Sequence, residues 1–291
     1  SQLEKILLLL SFFGLMIGIG SSLELADVRE VLQHPRRVMG ALALQYLLLP
    51  ALACGLIGVF QLSALTGWTL LLIAACPGGS TSNMFTYFAK GNVSLSLLLT
   101  FLTSLFSVAM TPLLLKGFGA FIPPLSVQMH HISLPLGRLS GTLALALVPV
   151  IIGFIIRVYS KTWALRAEKT GSTIGYLSII AMIVLWYPKT QEILQTQDLR
   201  VFSAAGLLSL SGIFCALLIS RLAKAQPETA RTLSFETGIQ NAPLAFAIVT
   251  LNLPPEIALA VGWIPLVYGA LSVANAAFFT LIYRFGDKIK P

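Results

Sequence analysis

Charge is what this sequence has least of. Only 10% of its 291 residues are Asp, Glu, Lys or Arg, whereas 56% are hydrophobic. A soluble domain carries about 25% charged residues, so the scarcity excludes a water-facing surface over most of the chain. Polar intervals reach roughly 15–20 residues at most, too short by the loop-length norms of compact folds to hide a soluble domain. Histidine is nearly absent: His34, His130 and His131 all fall in polar connections. That counts against an intramembrane serine hydrolase, which Gly79-Ser80 would superficially suggest, because the nucleophile needs a base within hydrogen-bond reach. The three cysteines, Cys54, Cys76 and Cys215, lie in apolar runs with neither metal-ligand spacing nor a disulfide pattern. Cys54 and Cys215 read as small buried hydrophobes, while Cys76 abuts a break in its helix.

What the chain has in quantity is long apolar runs. A membrane-crossing helix needs about 20 mostly apolar residues. Nine stretches meet that measure, roughly 5–22, 38–60, 68–89, 93–115, 137–159, 170–187, 201–222, 230–250 and 257–284. The expected fold is an all-α polytopic membrane protein with nine transmembrane helices. Ile6–Gly20 has the length of a signal-peptide core, but Ser21–Leu25 offers no small-residue cleavage site, so a span is expected there.

The basic residues alternate between the two sets of connections. One side holds Arg29, Arg36, Arg37, Lys90, Arg157, Lys161, Arg166, Lys169, Arg221, Lys224, Arg231, Arg284, Lys288 and Lys290. The other keeps Lys5, Lys116, Arg138, Lys189 and Arg200. By the positive-inside rule the first side is cytoplasmic. This predicts a multi-pass protein of the plasma (inner) membrane with its N-terminus outside and C-terminus in the cytoplasm. The net charge of +8 is thereby explained by topology, with no nucleic-acid partner; membrane lipids are the generic neighbours of such loops. Trp68, Trp163, Trp186 and Tyr187 fall near predicted span ends, where interfacial anchoring is expected. No obligate protein partner is implied.

Two interruptions stand out. Cys76-Pro-Gly-Gly-Ser-Thr-Ser-Asn83 breaks the third span, and Glu236-Thr-Gly-Ile-Gln-Asn-Ala-Pro243 breaks the eighth. Proline removes a backbone donor and glycine weakens helix, so carbonyls are freed. Lipid cannot replace the lost partners, so such a break survives only where protein encloses it. The two broken spans run in opposite directions, as an inverted repeat requires, and paired interrupted spans point to a transporter's binding site.

Glu236 is the only one of 11 acidic residues well inside an apolar span. A carboxylate there costs about 2.5–3.5 kcal/mol on insertion scales. The only Lys and Arg within the spans stand at their ends, none deep enough to pair with it, which leaves a cation or a proton. Sodium favours several hard oxygens from carboxylate, hydroxyl, amide and freed backbone carbonyls. Ser82 and Asn83 at the first break supply such groups, as do Ser96 and Thr100 on the next span, Gln45 near Pro50, and Gln240 and Asn241 at the second break. Alone, Gln45 would read as an interhelical hydrogen bond, and Ser96 and Thr100 as hydroxyls bonded to their own helix. Half-helix N-termini after each break present unpaired N–H groups to an anion. Gly79, Ser80, Thr81, Asn241 and Ala242 are placed to meet a carboxylate or sulfonate.

The motif Cys76–Asn83, followed by Ala89-Lys-Gly-Asn-Val93 and Ser96-Leu-Leu-Leu-Thr100, resembles the bile acid:sodium symporter family. So do Gln45…Pro50, Glu236-Thr-Gly-Ile-Gln-Asn241 and His34-Pro35. The likeness runs through essentially the whole chain, in the manner of nine-span members that lack the family's usual first helix. It implies a core domain (38–120 and 200–291) containing two crossed discontinuous helices, and a smaller panel domain (1–37 and 137–190). It implies two sodium ions: one held by Ser82, Asn83, Ser96, Thr100 and Glu236, the other by Gln45, Glu236, Gln240 and the main-chain carbonyls of Thr237 and Ile239. It also implies a small organic anion as substrate, a bile acid or a smaller carboxylate, carried by alternating access. Where several bacterial members have a His-Asn pair in the last span, this chain has Gly269-Ala270. Rival readings are a channel, a proton-coupled carrier, and a metalloid-anion carrier that uses Cys76.

Overall fold

The computed structural model describes residues 2–24, 29, 33, 35–120, 136–196 and 198–289. His34, His130 and His131 lie outside the described residues, as does the connection 121–135. The described residues are helical almost throughout; the sole β-type pairing among them is one isolated antiparallel bridge between Gly78 and Gln240. Five helical stretches are long and apolar enough to cross a membrane: Pro35–Val59, Val93–Ala120, Gly137–Tyr159, Leu199–Leu222 and Pro255–Phe285. The shorter apolar helices include Ala64–Ala75 and Ala242–Asn252, which flank the two sequence breaks. This is the build of a polytopic helical membrane protein.

Helix α1 (Gln2–Ser22) packs chiefly against α7 (Leu136–Tyr159) and α8 (Lys161–Thr196). Its glycines explain the closeness. A Cβ on Gly14 would stand 2.6 Å from the Gly171 carbonyl oxygen, and one on Gly171 would stand 2.5 Å from that of Gly14. Helices in lipid gain little from apolar burial against each other, so backbones brought together at small residues supply the attraction instead. Helix α8 is much longer than the expected 170–187. Its polar flanks lower the apparent hydropathy, but they are rich in Ala, Leu, Arg, Glu and Lys, which continue a helix readily.

The second predicted span is two helices, α2 (Pro35–Ala43) and α3 (Leu49–Val59), joined by a π-turn at Leu44–Leu48. Pro50 accounts for the widening. It has no N–H for the carbonyl of Tyr46, and its ring crowds that carbonyl. The third span splits into α4 (Ala64–Ala75) and α5 (Ser80–Phe88), and is followed by α6 (Val93–Ala120). Ser63 caps α4 by accepting the Thr66 N–H. Helix α9 (Leu199–Leu222) leads to the other broken pair, α10 (Pro227–Gly238) and α11 (Ala242–Asn252). Then come the short α12 (Pro255–Val261) and α13 (Trp263–Ile289).

Trp68 departs from its expected role. It is 3% exposed and packed in the core with Leu70–Ala74 rather than at a membrane interface. Its place near the start of α4 matched an interfacial position in sequence, but neighbouring helices cover it. Trp163 is 62% exposed, with the Arg166 guanidinium 5.0 Å above its ring. The side chains of Trp186 and Tyr187 lie outside the described residues.

At one end of this assembly Glu24, just past α1, is bound by Arg157 from the last turn of α7 and by Lys161, whose Nζ is 3.2 Å away. The Lys161 hydrogen bond, then that of Arg157, holds the Glu24 carboxyl below its ordinary value of 4.5. A lowered folded value means that the contact stabilises the fold above the ordinary carboxylate range and is lost as pH falls through the lowered value. Thermal melts in detergent from pH 7 to pH 3 should therefore show the wild type losing more stability than Glu24→Gln. Parallel curves would remove this contact from the acid sensitivity.

Candidate functional site at the helix crossing

The sequence breaks are broad, but the unwound segments are narrow. Ser80 to Asn83 already form the first turn of α5, and Glu236 to Gly238 the last turn of α10; Cys76 to Gly79 and Ile239 to Asn241 lie outside regular helix. The two segments meet and satisfy each other. The Gly79 N–H donates to the Ile239 carbonyl at 2.9 Å, and the Asn241 N–H donates to the Pro77 carbonyl at 2.9 Å. Neither break thus leaves these main-chain groups to lipid, which has no partners to offer. The approach demands glycine at 79, where backbone faces backbone, while at 78 it is the Glu236 side chain that stands close. A Cβ on Gly79 would stand 2.8 Å from the Gln240 carbonyl oxygen, and one on Gly78 would stand 2.9 Å from Glu236 Oε2.

Other helices brace the crossing. Thr103 Oγ1 of α6 accepts the Gly78 N–H at 3.3 Å, and the Thr111 hydroxyl donates to the Ala75 carbonyl at 2.6 Å. On the second break, the Tyr268 hydroxyl donates to the Gly238 carbonyl at 3.0 Å and accepts the Gln240 N–H at 3.3 Å. Tyr268 is fully buried. Sequence reasoning missed Thr103, Thr111 and Tyr268. Thr103 and Thr111 continue the hydroxyl-rich face that holds Ser96 and Thr100 and were readable in principle, whereas Tyr268 carries no motif.

Glu236 is 5% exposed, and no Lys or Arg among the described residues pairs with it. Three hydroxyls from two helices converge on its carboxylate. Ser82 of α5 donates to Oε1 at 2.5 Å, Ser96 of α6 also bonds Oε1, and Thr100 of α6 lies 3.1 Å from Oε2. Asn83 joins through its Oδ1, 3.4 Å from the Thr100 hydroxyl. Ser82, Ser96 and Thr100 are all fully buried.

The other predicted oxygens form a second, adjoining group. Gln45, on the π-turn, and Gln240 make a reciprocal amide pair at 2.6 and 3.2 Å. Gln45 Nε2 also donates to the Cys76 carbonyl at 2.8 Å, and Gln240 Nε2 to the Thr237 carbonyl at 2.7 Å. The Ile239 carbonyl is the one that accepts the Gly79 N–H. The Cys76 sulfur takes no part, although the residue is fully buried at the crossing. Among the described residues no cluster of His, Cys, Asp or Glu could hold a metal. The available donors are hydroxyls, amides, carbonyls and one carboxylate, a set that suits a hard monovalent cation and not a transition metal.

Beside the crossing lies a cavity of about 410 Å³. Gly79, Ser80, Thr81, Asn241 and Ala242 all line it, together with Leu15 of α1 and Phe246 of α11. Asn241 Oδ1 caps α11 through the Leu244 N–H, while its Nδ2, on a residue 3% exposed, has no partner among the described residues. Gly269 and Ala270 form part of the wall, and a Cβ on Gly269 would stand 3.0 Å from the Ala242 Cβ. No Lys, Arg or His lines the cavity. The expectation of unpaired N–H groups after both breaks fails at three positions, because the Gly79, Asn241 and Ala242 N–H groups are taken by the carbonyls of Ile239, Pro77 and Gln240, and that of Leu244 by the Asn241 side chain. An anion there would be met by the start of α5 at Ser80 and Thr81 and by the Asn241 amide.

Two broken helices that meet back to back over a buried carboxylate, with a cavity alongside, are built as membrane transporters are. Residues 7–197 match the Sodium Bile acid symporter family, and the chain belongs to that family. It is 28% identical over 288 residues to the hepatic sodium/bile acid cotransporter of Rattus norvegicus, covering 99% of this chain and 79% of that protein. It is 29% identical over 245 residues to the sodium-dependent transporter YocS of Bacillus subtilis, covering 84% of this chain and 74% of that protein. With human sodium/bile acid cotransporter 4 it shares 31% identity over 274 residues, covering 92% of this chain and 61% of the relative. The chain is therefore an integral membrane protein and a sodium-dependent transporter, not an enzyme.

Because the crossing depends on an unhindered Gly79, Gly79→Ala should cost about 1–3 kcal/mol, the usual cost of overpacking. Gly117→Ala on α6, where a Cβ meets nothing within 4 Å, serves as the control. Thermal melts in detergent should show a lowered midpoint for the first and none for the second. Equal midpoints would mean that the crossing has slack.

Proposed function

We propose that this protein is a symporter that couples the inward movement of two sodium ions to that of one small organic anion by alternating access. The observation that carries the reading is the buried Glu236 carboxylate, ringed by Ser82, Ser96 and Thr100 with no basic partner among the described residues. Hydroxyl protons that now point at the carboxylate can rotate away, which turns the oxygens toward a cation without moving the backbone. The first sodium site is Ser82, Asn83, Ser96, Thr100 and Glu236. The second is Gln45, Glu236, Gln240 and the carbonyls of Thr237 and Ile239. It differs in one respect: Gln45 and Gln240 bond each other, so a cation must part the amide pair to reach their oxygens. Glu236 belongs to both sites, so the two ions reinforce each other.

The anion binds at Gly79, Ser80, Thr81, Asn241 and Ala242, where α5 and α11 begin and the Asn241 amide donor faces no protein acceptor. Sodium held by the Glu236 group would add positive charge beside the same crossing. Two cations and one monoanion carry net positive charge inward. An inside-negative potential then favours uptake by about 2.3 kcal/mol per charge per 100 mV.

Nine transmembrane helices in an inverted repeat account for the opposite directions of the two broken spans. Helices α1, α7 and α8 form the panel, and the crossing with its neighbours forms the core. Leu15 brings the panel to the cavity wall, so rocking of one group against the other would open the cavity to either side. The protein sits in the plasma membrane with its N-terminus outside and its C-terminus in the cytoplasm, in line with the basic connections. A metalloid carrier using Cys76 is disfavoured, because Cys76 does not line the cavity.

Uptake of a radiolabelled monocarboxylate into proteoliposomes should require an inward sodium gradient and rise with an inside-negative potential. Equal uptake from potassium or choline medium would overturn the coupling. In sodium titrations followed by thermal stability, Glu236→Ala should abolish stabilisation and Gln45→Ala should weaken it severalfold. A wild-type titration in Glu236→Ala would remove that residue from both sites.

A further inference from the structure

A second and larger cleft, of about 860 Å³, lies away from the crossing, between the α2/π-turn segment and the end of α9. Arg36 and Arg37 at the start of α2 and Lys224 just beyond α9 stand around it, and no acidic residue lines it. The general bias of basic residues toward one membrane face explains why each is basic. It does not explain why three of them, from segments nearly 190 positions apart in the chain, border the same cleft.

Apart from Ser220 and from Gln226 and Thr229 at the start of α10, the rest of the lining is apolar. Leu47 of the π-turn, 60% exposed, and Ile219 of α9, 42% exposed, extend it along the helices toward the lipid-facing surface. Between the two parts sits Ser220. It is 3% exposed, and its hydroxyl has no partner among the described residues. The Ser211 hydroxyl on the same helix shows the usual alternative, bonding back to the Leu207 carbonyl at 2.6 Å.

We infer that this cleft is a binding site for one anionic phospholipid. Arg36, Arg37 and Lys224 meet the phosphate, the Ser220 hydroxyl is within reach of the ester region, and an acyl chain lies over Leu47 and Ile219. A free phosphate would use the cationic end and leave the apolar groove without a role; a neutral lipid would use the groove and leave three cations unmatched. The lipid would also lean on the π-turn that carries Gln45 on its other side.

Native mass spectrometry of the detergent-purified protein tests this with three probes: phosphatidylglycerol, phosphatidylcholine and inorganic phosphate. The wild type should retain one phosphatidylglycerol at least tenfold better than phosphatidylcholine, and inorganic phosphate should not displace it. Removing cations as Arg36→Gln, Arg37→Gln and Lys224→Gln should weaken retention roughly fivefold each, the worth of one basic residue near an anionic headgroup. Leu47→Trp, on an exposed position, should fill the groove and weaken retention without changing charge. Lys90→Gln, Lys169→Gln and Arg284→Gln, which are exposed and outside the cleft, should leave retention unchanged. The inference is overturned if the cleft variants retain lipid as the wild type does, if the outside variants lose it equally, or if inorganic phosphate displaces it.

Discussion

Everything at the centre of this molecule depends on two main-chain hydrogen bonds, Gly79 to Ile239 and Asn241 to Pro77. A helix that unwinds within a membrane exposes polar groups to a medium with nothing to bond them, at a cost of several kcal/mol each. One broken helix would be prohibitive there. Two that unwind at the same depth and run antiparallel can serve as partners for each other, which is the physical content of the Gly78–Gln240 bridge. The pairing requires backbones nearly in contact, and so fixes glycine at 79; at 78 a Cβ would instead meet the Glu236 carboxylate. It also fixes where α5 and α11 begin.

The cation-suited oxygens and the anion-suited helix starts are consequently parts of one object. Glu236 is in the last turn before one break, Ser82 is in the first turn after the other, and the Gly78 backbone runs between them. In the proposed cycle, a cation held at Glu236 would act across two or three residues of mutually bonded backbone on an anion in the cavity. No flexible relay is needed for each to favour the other.

Much of this was legible in the sequence, and the reasons differ by residue. Glu236 was legible because a carboxylate in an apolar run has no neutral explanation. The breaks were legible because Pro77, Gly78, Gly79 and Gly238 contradict helix in a setting where only helix is tolerated. The mutual pairing of the breaks was not, since it joins residues about 160 positions apart and no local pattern encodes it. The π-turn at Leu44–Leu48 was signalled by Pro50 but not specified by it, because a proline can be absorbed by a kink instead. The full length of α8 was hidden by polar flanks that lower hydropathy without interrupting helix. Trp68 was misplaced because a tryptophan near a helix end looks the same whether lipid headgroups or other helices surround it. Tyr268, the brace of the second break, sits in an ordinary apolar run and becomes informative only when its hydroxyl is seen between Gly238 and Gln240.

Leu15, which lines the cavity, directly follows Gly14, whose backbone rests on that of Gly171. Contact made by main chain alone has no rotamers through which a push could dissipate. If the panel rocks as proposed, α1 and α8 would therefore turn as a single rigid piece, and the cavity wall at Leu15 would turn with them.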